Sequence, residues 1–349
     1  MSLSRLAESI KDKALELGYE ACGLTPVGEL DDYGAELDER LARIPSDGLK
    51  KWDQMMFDYL SRFQRLKVDY PWAQSVLIVA SSYGKYRIPP NLLGRVASGF
   101  CVDSRIDPQS PGHKTSLAFE LFLLELGLKA VTERKYGLVP LRWAAKKAGL
   151  GLGRRNNFFY LSSGSYVRLE AWVLDKPLEL LADSSLKPCP KDCQLCQKAC
   201  PTLALTEPYL TRPGSCLTFI NASSPVNWIN HPFSAAAGAW IYGCEVCQNA
   251  CPFNRGQWKE ELEFPGLEEL SLFLDLTTIV ELDYSVIEQK LGPKFWYIAP
   301  DRDWQWKVNA LNAMKNQWEP EYRPFLRAAM NDARAQVRDM ATWVESLVA

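Results

Sequence analysis

Residues 189–201 read CPKDCQLCQKACP, and residues 243–252 read GCEVCQNACP. In the first stretch Cys189, Cys193, Cys196 and Cys200 are separated by three, two and three residues, and Pro201 follows. Cys244, Cys247 and Cys251 repeat the end of that pattern, with Pro252 behind them. The first run is close to the bacterial ferredoxin spacing C-x2-C-x2-C-x3-C-P, with one residue added in its first gap. Cys216 stands alone between the runs and completes a set of eight thiols, enough for two [4Fe–4S] clusters. Gaps of two or three residues let successive thiolates wrap one face of a cubane, while the cysteine before proline turns to the other cluster. The expected ligand sets are Cys189, Cys193, Cys196 and Cys251 for one cluster, and Cys200, Cys216, Cys244 and Cys247 for the other. Zinc is the competing reading, but zinc sites use paired C-x2-C knuckles, in which the closing C-x3-C-P has no role. Cys22 and Cys101 lie outside the module and read as buried free thiols.

The rest of the composition is that of a globular protein. A chain of 349 residues is long enough for two or three domains with cores of their own. A net charge of -2 gives no global reason to expect nucleic acid or acidic lipid as a partner. The most apolar stretch, SLAFELFLLELGLKAV, is interrupted by Glu120 and Glu125 and reads as a buried helix, not a membrane span. At the N-terminus Leu3, Leu6, Ile10, Ala14 and Leu17 recur at helical spacing among charges, which describes an amphipathic helix and not a signal peptide. A cytoplasmic location is expected, and cysteines kept reduced there bind metal more readily than they form disulfides.

Three regions follow along the chain. Residues 1–185 read as an α/β domain, with strands at Ser75–Tyr83 and Tyr166–Asp175 and helices at Thr115–Thr132 and Leu141–Ala148. Residues 186–262 are proline-rich and loop-rich, a module organised around the cysteines. Residues 263–349 carry short apolar stripes (Trp306, Val308, Leu311 and Met314; then Tyr322, Phe325, Leu326 and Ala329; then Val337, Ala341, Val344 and Leu347) and read as a small helical-repeat tail. Two clusters in one module form an electron wire, and the α/β domain is expected to hold its terminus.

Two glycine-bearing stretches are candidates for that terminus. In AGLGLGRRNN, residues 148–157, Gly149, Gly151 and Gly153 permit close approach of backbone to a ligand, or simply form a turn that ends a helix. The segment is no dinucleotide fingerprint, because a helical stretch precedes it and the spacing differs. Arg155, Asn156 and Asn157 can bind polar groups of a ligand, or line a solvated loop. NLLGRVASGF, residues 91–100, would by itself be an ordinary surface loop.

Taken together, the order of these motifs resembles the cobalamin-dependent epoxyqueuosine reductases, which share a cofactor-binding core with reductive dehalogenases. LGYEACGLTP, WAAKKAGLGLGRRNNFFYLSSGSYVRL and VNALNAM carry the resemblance outside the cysteines. It implies a nitroreductase-like α/β domain that binds cobalamin beside one cluster, a ferredoxin-like double-cluster module and a HEAT-like tail. It also implies that Gly94, Arg95, Ala97 and Gly99 lie over the cofactor, together with the 149–157 segment. A low-potential donor such as ferredoxin or flavodoxin would supply electrons. No D-x-H-x-x-G signature is present, and His113 and His231 read as structural histidines.

Three departures bear on substrate. The family carries V-D-T-x-P-x-x-E, whose Asp is the expected proton donor, but the matching stretch here is YGLVPLRW, with Gly137 and Trp143 at the acidic positions. Glycine cannot transfer a proton. AGLGLGRRNN stands where the family has A-G-L-G-W-I-G-K-N. The stretch GPKFWYIAPDRDWQW, at a place that is basic in tRNA-binding members, is aromatic, and Phe295, Trp296 and Trp304 read as packing the tail onto the body. The expectation is therefore a cobalamin and iron–sulfur reductase for a substrate other than epoxyqueuosine-tRNA, with Tyr136 or Arg142 at the reacting face. The alternatives are a divergent epoxyqueuosine reductase that takes its acid from Asp103 or Asp107, and an electron-transfer protein that reduces a corrinoid on a partner.

Overall fold

The computed structural model describes residues 2–44 and 51–348. Its central sheet has four strands in the order 21–26, 75–82, 167–174, 130–131, and every pairing is antiparallel. The strand Ser75–Ser82 lies inside, and its side chains alternate between two cores. Leu77 and Val79 join Leu6, Ile10 and Ala14 of the helix Leu3–Glu16 and Phe119 and Leu123 of the helix Pro111–Glu125 on one face. Val76, Ile78 and Ala80 meet Ala144 and Ala145 of the helix Leu141–Lys147 on the other. This is why the strand reads as an unbroken apolar run: both faces are covered, and each buried aliphatic side chain stabilises by about 1.5–3 kcal/mol.

The expected helix over 115–132 differs from what forms. It begins earlier, where the Ser110 hydroxyl caps it and Pro111 takes the first helical position. It ends at Glu125, because Gly127 turns left-handed at φ +73° and releases the chain into the edge strand Ala130–Val131.

In the tail, the apolar stripe seen at Trp306, Val308, Leu311 and Met314 proves to be part of the helix Gln305–Asn316, buried along most of its length. Every residue from Gln305 to Met314 is buried. Its asparagines are satisfied by the loops of the cysteine module: Asn309 donates to the carbonyls of Asn221 and Ile241, and Asn312 donates to that of Ser234, whereas Lys307 pairs with Asp332 of the tail at 2.9 Å. One apolar core runs from Ile88 through Trp228 and Tyr242 to Val344. Tyr242 stacks on Trp306 with ring centroids 5.2 Å apart. The tail thus encloses the loops that carry the cysteines. Among the described residues no helix is long and apolar enough to cross a membrane.

Candidate functional site

The two cysteine runs fold alike. The short helices Leu195–Ala199 and Val246–Asn249 pack together, and the residues before them, Gln194 and Glu245, share φ -128° and ψ 15°. Cys200 and Cys251, each before proline, are both extended, with ψ 114° and 123°. This geometry gathers the thiols in two sets. Burial, and then the neighbouring Cys189, Cys251 and Cys193, push the Cys196 thiol up to about 11. Burial, with Cys216 and Cys200 beside it, pushes Cys244 up to about 12. Cys247 is raised in the same way by burial, Cys216, Cys244 and Cys200. Iron must therefore displace protons from these thiols on binding. Among the described residues no three Cys, His, Asp or Glu side chains converge on a single metal ion, whereas a cubane takes one thiolate at each corner. Cys22 is buried, with its thiol pushed up to about 12 by burial, and Cys101 is fully buried and likewise raised.

The 149–157 segment serves this module as much as any ligand. Gly149 is left-handed at φ +72°, and a Cβ there would stand 2.0 Å from the Ala182 carbonyl oxygen. A Cβ on Gly151 would stand 2.0 Å from the Tyr160 carbonyl oxygen. Both glycines face backbone. Gly153, with open space where a Cβ would be, borders the cleft described below. The hairpin Leu152–Gly153 with Phe159–Tyr160 turns through Asn157 at φ +63°. Asn156 is buried and donates to the Tyr160 hydroxyl and to the Cys247 carbonyl. Arg155 donates to the Lys191 carbonyl. Of the three polar candidates, only Asn157 borders the cleft, where its carbonyl accepts from Arg142.

That cleft has a volume of about 1500 Å³ and opens between the sheet, the 133–143 loop and the tail. Tyr136 and Arg142 line it, as do Ala97 and Gly99. Gly94 and Arg95 do not. The Arg95 guanidinium instead pairs with Asp275 at 3.3 Å, and its carbonyl accepts from Ile241, so this residue ties the loop to the tail. Cys244 and Glu245 form part of the wall, which brings one thiol of the second set to the cleft. His113 also lines it, with Nδ1 3.1 Å from the Arg105 carbonyl.

Asp103 is poorly placed as a proton source, since it is buried between Arg105 and Arg168 and does not line the cleft. Burial alone would raise its carboxyl, but the guanidinium groups of Arg168 and Arg105 override burial and hold it well below the usual carboxylate range. Asp107 lies off the cleft and accepts from the Gln109 amide.

Several lining residues escaped sequence reasoning. Glu170 and Arg168 lie two apart on the strand Val167–Leu174, on the face that further along carries Trp172 and Leu174. Glu170 accepts from the hydroxyls of Tyr19 and Ser116, and burial raises its pKa. Two charges inside an alternating strand were the available signal. Glu133 accepts from the Lys135 and Tyr136 amides. Trp296, expected to pack the core, lines the cleft instead, edge-on to Tyr136 with centroids 5.5 Å apart and with Arg105 4.8 Å from its ring. Phe295 is fully buried, as a packing residue is.

The comparisons with known proteins agree with this geometry. Residues 189–254 match a 4Fe-4S double cluster binding domain. An epoxyqueuosine reductase of Synechococcus sp. (strain CC9605) is 32% identical over half of this chain, and the match spans about half, 54%, of that relative's length. The epoxyqueuosine reductase of Bacillus subtilis (strain 168) is 26% identical over 98% of this chain and 88% of its own. In three dimensions the chain is similar to the crystal structure of an epoxyqueuosine reductase with an epoxyqueuosine-modified tRNA-Tyr stem loop, with a TM-score of 0.75 and 21% identity over 98% of this chain and 90% of that one. In sequence and in fold the chain is similar to epoxyqueuosine reductases, and it carries a 4Fe-4S double cluster binding domain.

Proposed function

We propose that this chain is an oxidoreductase that passes single electrons through two [4Fe–4S] clusters into the cleft, to reduce an epoxyqueuosine-type nucleoside carried by an RNA stem loop, with cobalamin as the group held in the cleft. The observation that carries the reading is the makeup of the wall. Cys244 reaches it from the second thiol set, and ten Lys and Arg side chains besides Arg154 line it against five Glu, with Arg105 and Arg168 sharing Asp103 and Arg134 pairing with Glu120, in a chain whose net charge is -2. Such a local excess of cations suits phosphates, and the stacked pair Trp296 and Tyr297, with ring centroids 4.0 Å apart, lines the cleft with aromatic surface against which bases can pack. The relatives named epoxyqueuosine reductase favour this substrate over the different one expected from the departures at Gly137 and at 292–306.

The cleft exceeds the roughly 300–1,000 Å³ of ordinary small-molecule sites, so it has room for a macrocycle beside a substrate. Gly153, Asn157 and Gly99 border that space with little side-chain bulk or with amide groups. A corrinoid held there would supply a cobalt centre that takes up single electrons. The chain's own residues would hold the stem loop, exclude water and deliver the proton that opening an epoxide requires. Gly137 cannot supply that proton. Glu170 is placed to do so, because its burial keeps it protonated to a higher pH than an ordinary glutamate. A ferredoxin- or flavodoxin-class donor and a cytoplasmic location complete the proposal.

The test is anaerobic reconstitution with iron, sulfide and cobalamin, followed by reduction and incubation with an epoxyqueuosine-bearing stem loop, whose nucleosides are then weighed by mass spectrometry. Queuosine should form, with a rate that falls as pH rises through the Glu170 pKa, and Glu170→Gln should lose on the order of 10²–10⁴-fold. Retained cobalt and reducible clusters without conversion would return the substrate to the open alternatives. Failure to retain cobalt would favour electron transfer to a corrinoid on a partner.

A further inference from the structure

Arg154 is a buried cation with no carboxylate beside it. Its side chain is 1% exposed, among the most buried large side chains of the protein. Among the described residues it makes no ion pair, and its Nε has no hydrogen-bond partner. What it does have is the Cys189 thiol, 3.9 Å from Nη1, and the ring of Phe253, whose centroid lies 3.4 Å from the guanidinium carbon. Phe253 follows Cys251–Pro252, so the guanidinium is held between the Cys189 thiol and the residue two past Cys251. The hairpin fixes it there: the Arg154 amide donates to the Phe158 carbonyl, and the Asn157 amide donates to the Arg154 carbonyl. Arg154 also lies 4.9 Å from the Tyr160 ring. A guanidinium cannot lose its proton to escape burial, and an unpaired buried charge is strongly destabilising. The site is therefore complete only when an anion stands beside it.

A four-iron cluster with four thiolates is that anion, and its negative charge grows by one on reduction. A fixed cation at its edge stabilises the reduced form more than the oxidised form. Among the described residues no Lys or Arg hydrogen-bonds to Cys200, Cys216, Cys244 or Cys247, whose donors are neutral: the Ala204 amide and the Thr202 hydroxyl at Cys200, the Phe219 and Thr218 amides and the Thr218 hydroxyl at Cys216, and the Val246 amide at Cys244. We propose that Arg154 is the counter-cation of the first cluster and holds its potential above that of the second. One electron from an external low-potential donor then rests on the first cluster, and the second cluster, at the cleft, delivers it at lower potential. Arg154 acts here as a positioning charge. The inference rests on the double-cluster domain and holds whatever the substrate is.

The experiment is a redox titration of the reconstituted full-length chain under dithionite, followed by EPR. About eight irons and two separate one-electron steps in the parent establish the clusters themselves. Cys193→Ser identifies which step belongs to the first cluster, because it alters that signal alone. Arg154→Gln should lower the first cluster's potential by at least a tenfold change in its reduction equilibrium, about 59 mV for one electron, and leave the second unmoved. Arg154→Lys, which keeps the charge, should return it towards the parent value. Unchanged potentials in Arg154→Gln, or movement of the second cluster instead of the first, would overturn the proposal. Should Arg154→Gln fail to hold iron, the parent decides: a first cluster that titrates at the lower potential refutes the assignment, and one at the higher potential with Arg154→Lys matching it supports the assignment.

Discussion

Replacing Gly149 or Gly151 by alanine separates two meanings of the AGLG segment. If these glycines exist for backbone packing, a methyl group at either site has nowhere to go. At Gly149 the added Cβ would lie 2.0 Å from the Ala182 carbonyl oxygen, in a left-handed conformation at φ +72°. The conformation costs about 1–2 kcal/mol in alanine, and relieving the clash costs about 1–3 kcal/mol more. Gly151→Ala meets the Tyr160 carbonyl oxygen at 2.0 Å without the dihedral cost. With roughly 2.1 cal/mol/K of unfolding entropy per residue, a chain of 349 residues loses roughly 1.4 °C of Tm per kcal/mol. Gly149→Ala should therefore melt roughly 3–7 °C lower and Gly151→Ala roughly 1–4 °C lower. Gly153→Ala is the control, since its Cβ would meet no atom within 4 Å, and it should melt within about 1 °C of the parent. Far-UV circular dichroism on matched samples reads the melts. Normal melting of Gly149→Ala and Gly151→Ala with selective loss of a bound cofactor would refute the packing argument and give both glycines to the ligand.

Two further outcomes follow from the same geometry. Asp103→Ala removes the carboxylate shared by Arg105 and Arg168 and should destabilise by roughly 2–4 kcal/mol, below the fully buried limit because both arginines keep partial exposure. Because the folded Asp103 pKa is depressed, its contribution is present above the unfolded value and fades as pH falls through the folded one, so acid titration of the melting temperature should flatten in the variant. Cys216→Ser should leave about half of the eight irons, with the first cluster's EPR signal intact, whereas Cys101→Ser, at a fully buried site apart from both sets, should retain all of them.

The short cysteine gaps made a cluster-binding module legible, because a cubane demands thiolates close along the chain, and residues 189–254 match a 4Fe-4S double cluster binding domain. Local logic also made the strands legible: 75–82 as an apolar run covered on both faces, and 167–174 from its alternating side chains. What the sequence could not show was which residues distant in the chain share one surface. Trp296 looked like core because aromatic clusters usually are core, and only the packing of the tail turns it into the cleft beside Tyr136. Glu170 and Arg168 sat in a strand, and only the end of the sheet reveals that they stand past the core. Arg95 and Arg155 looked like ligand binders but are held by Asp275 and the Lys191 carbonyl. The spacing of thiolates around a metal is fixed by covalent geometry over a few residues, so the sequence by itself determined it. The charge surrounding each cluster and the makeup of the cleft depend on contacts between segments a hundred residues apart, and only the tertiary structure decided those.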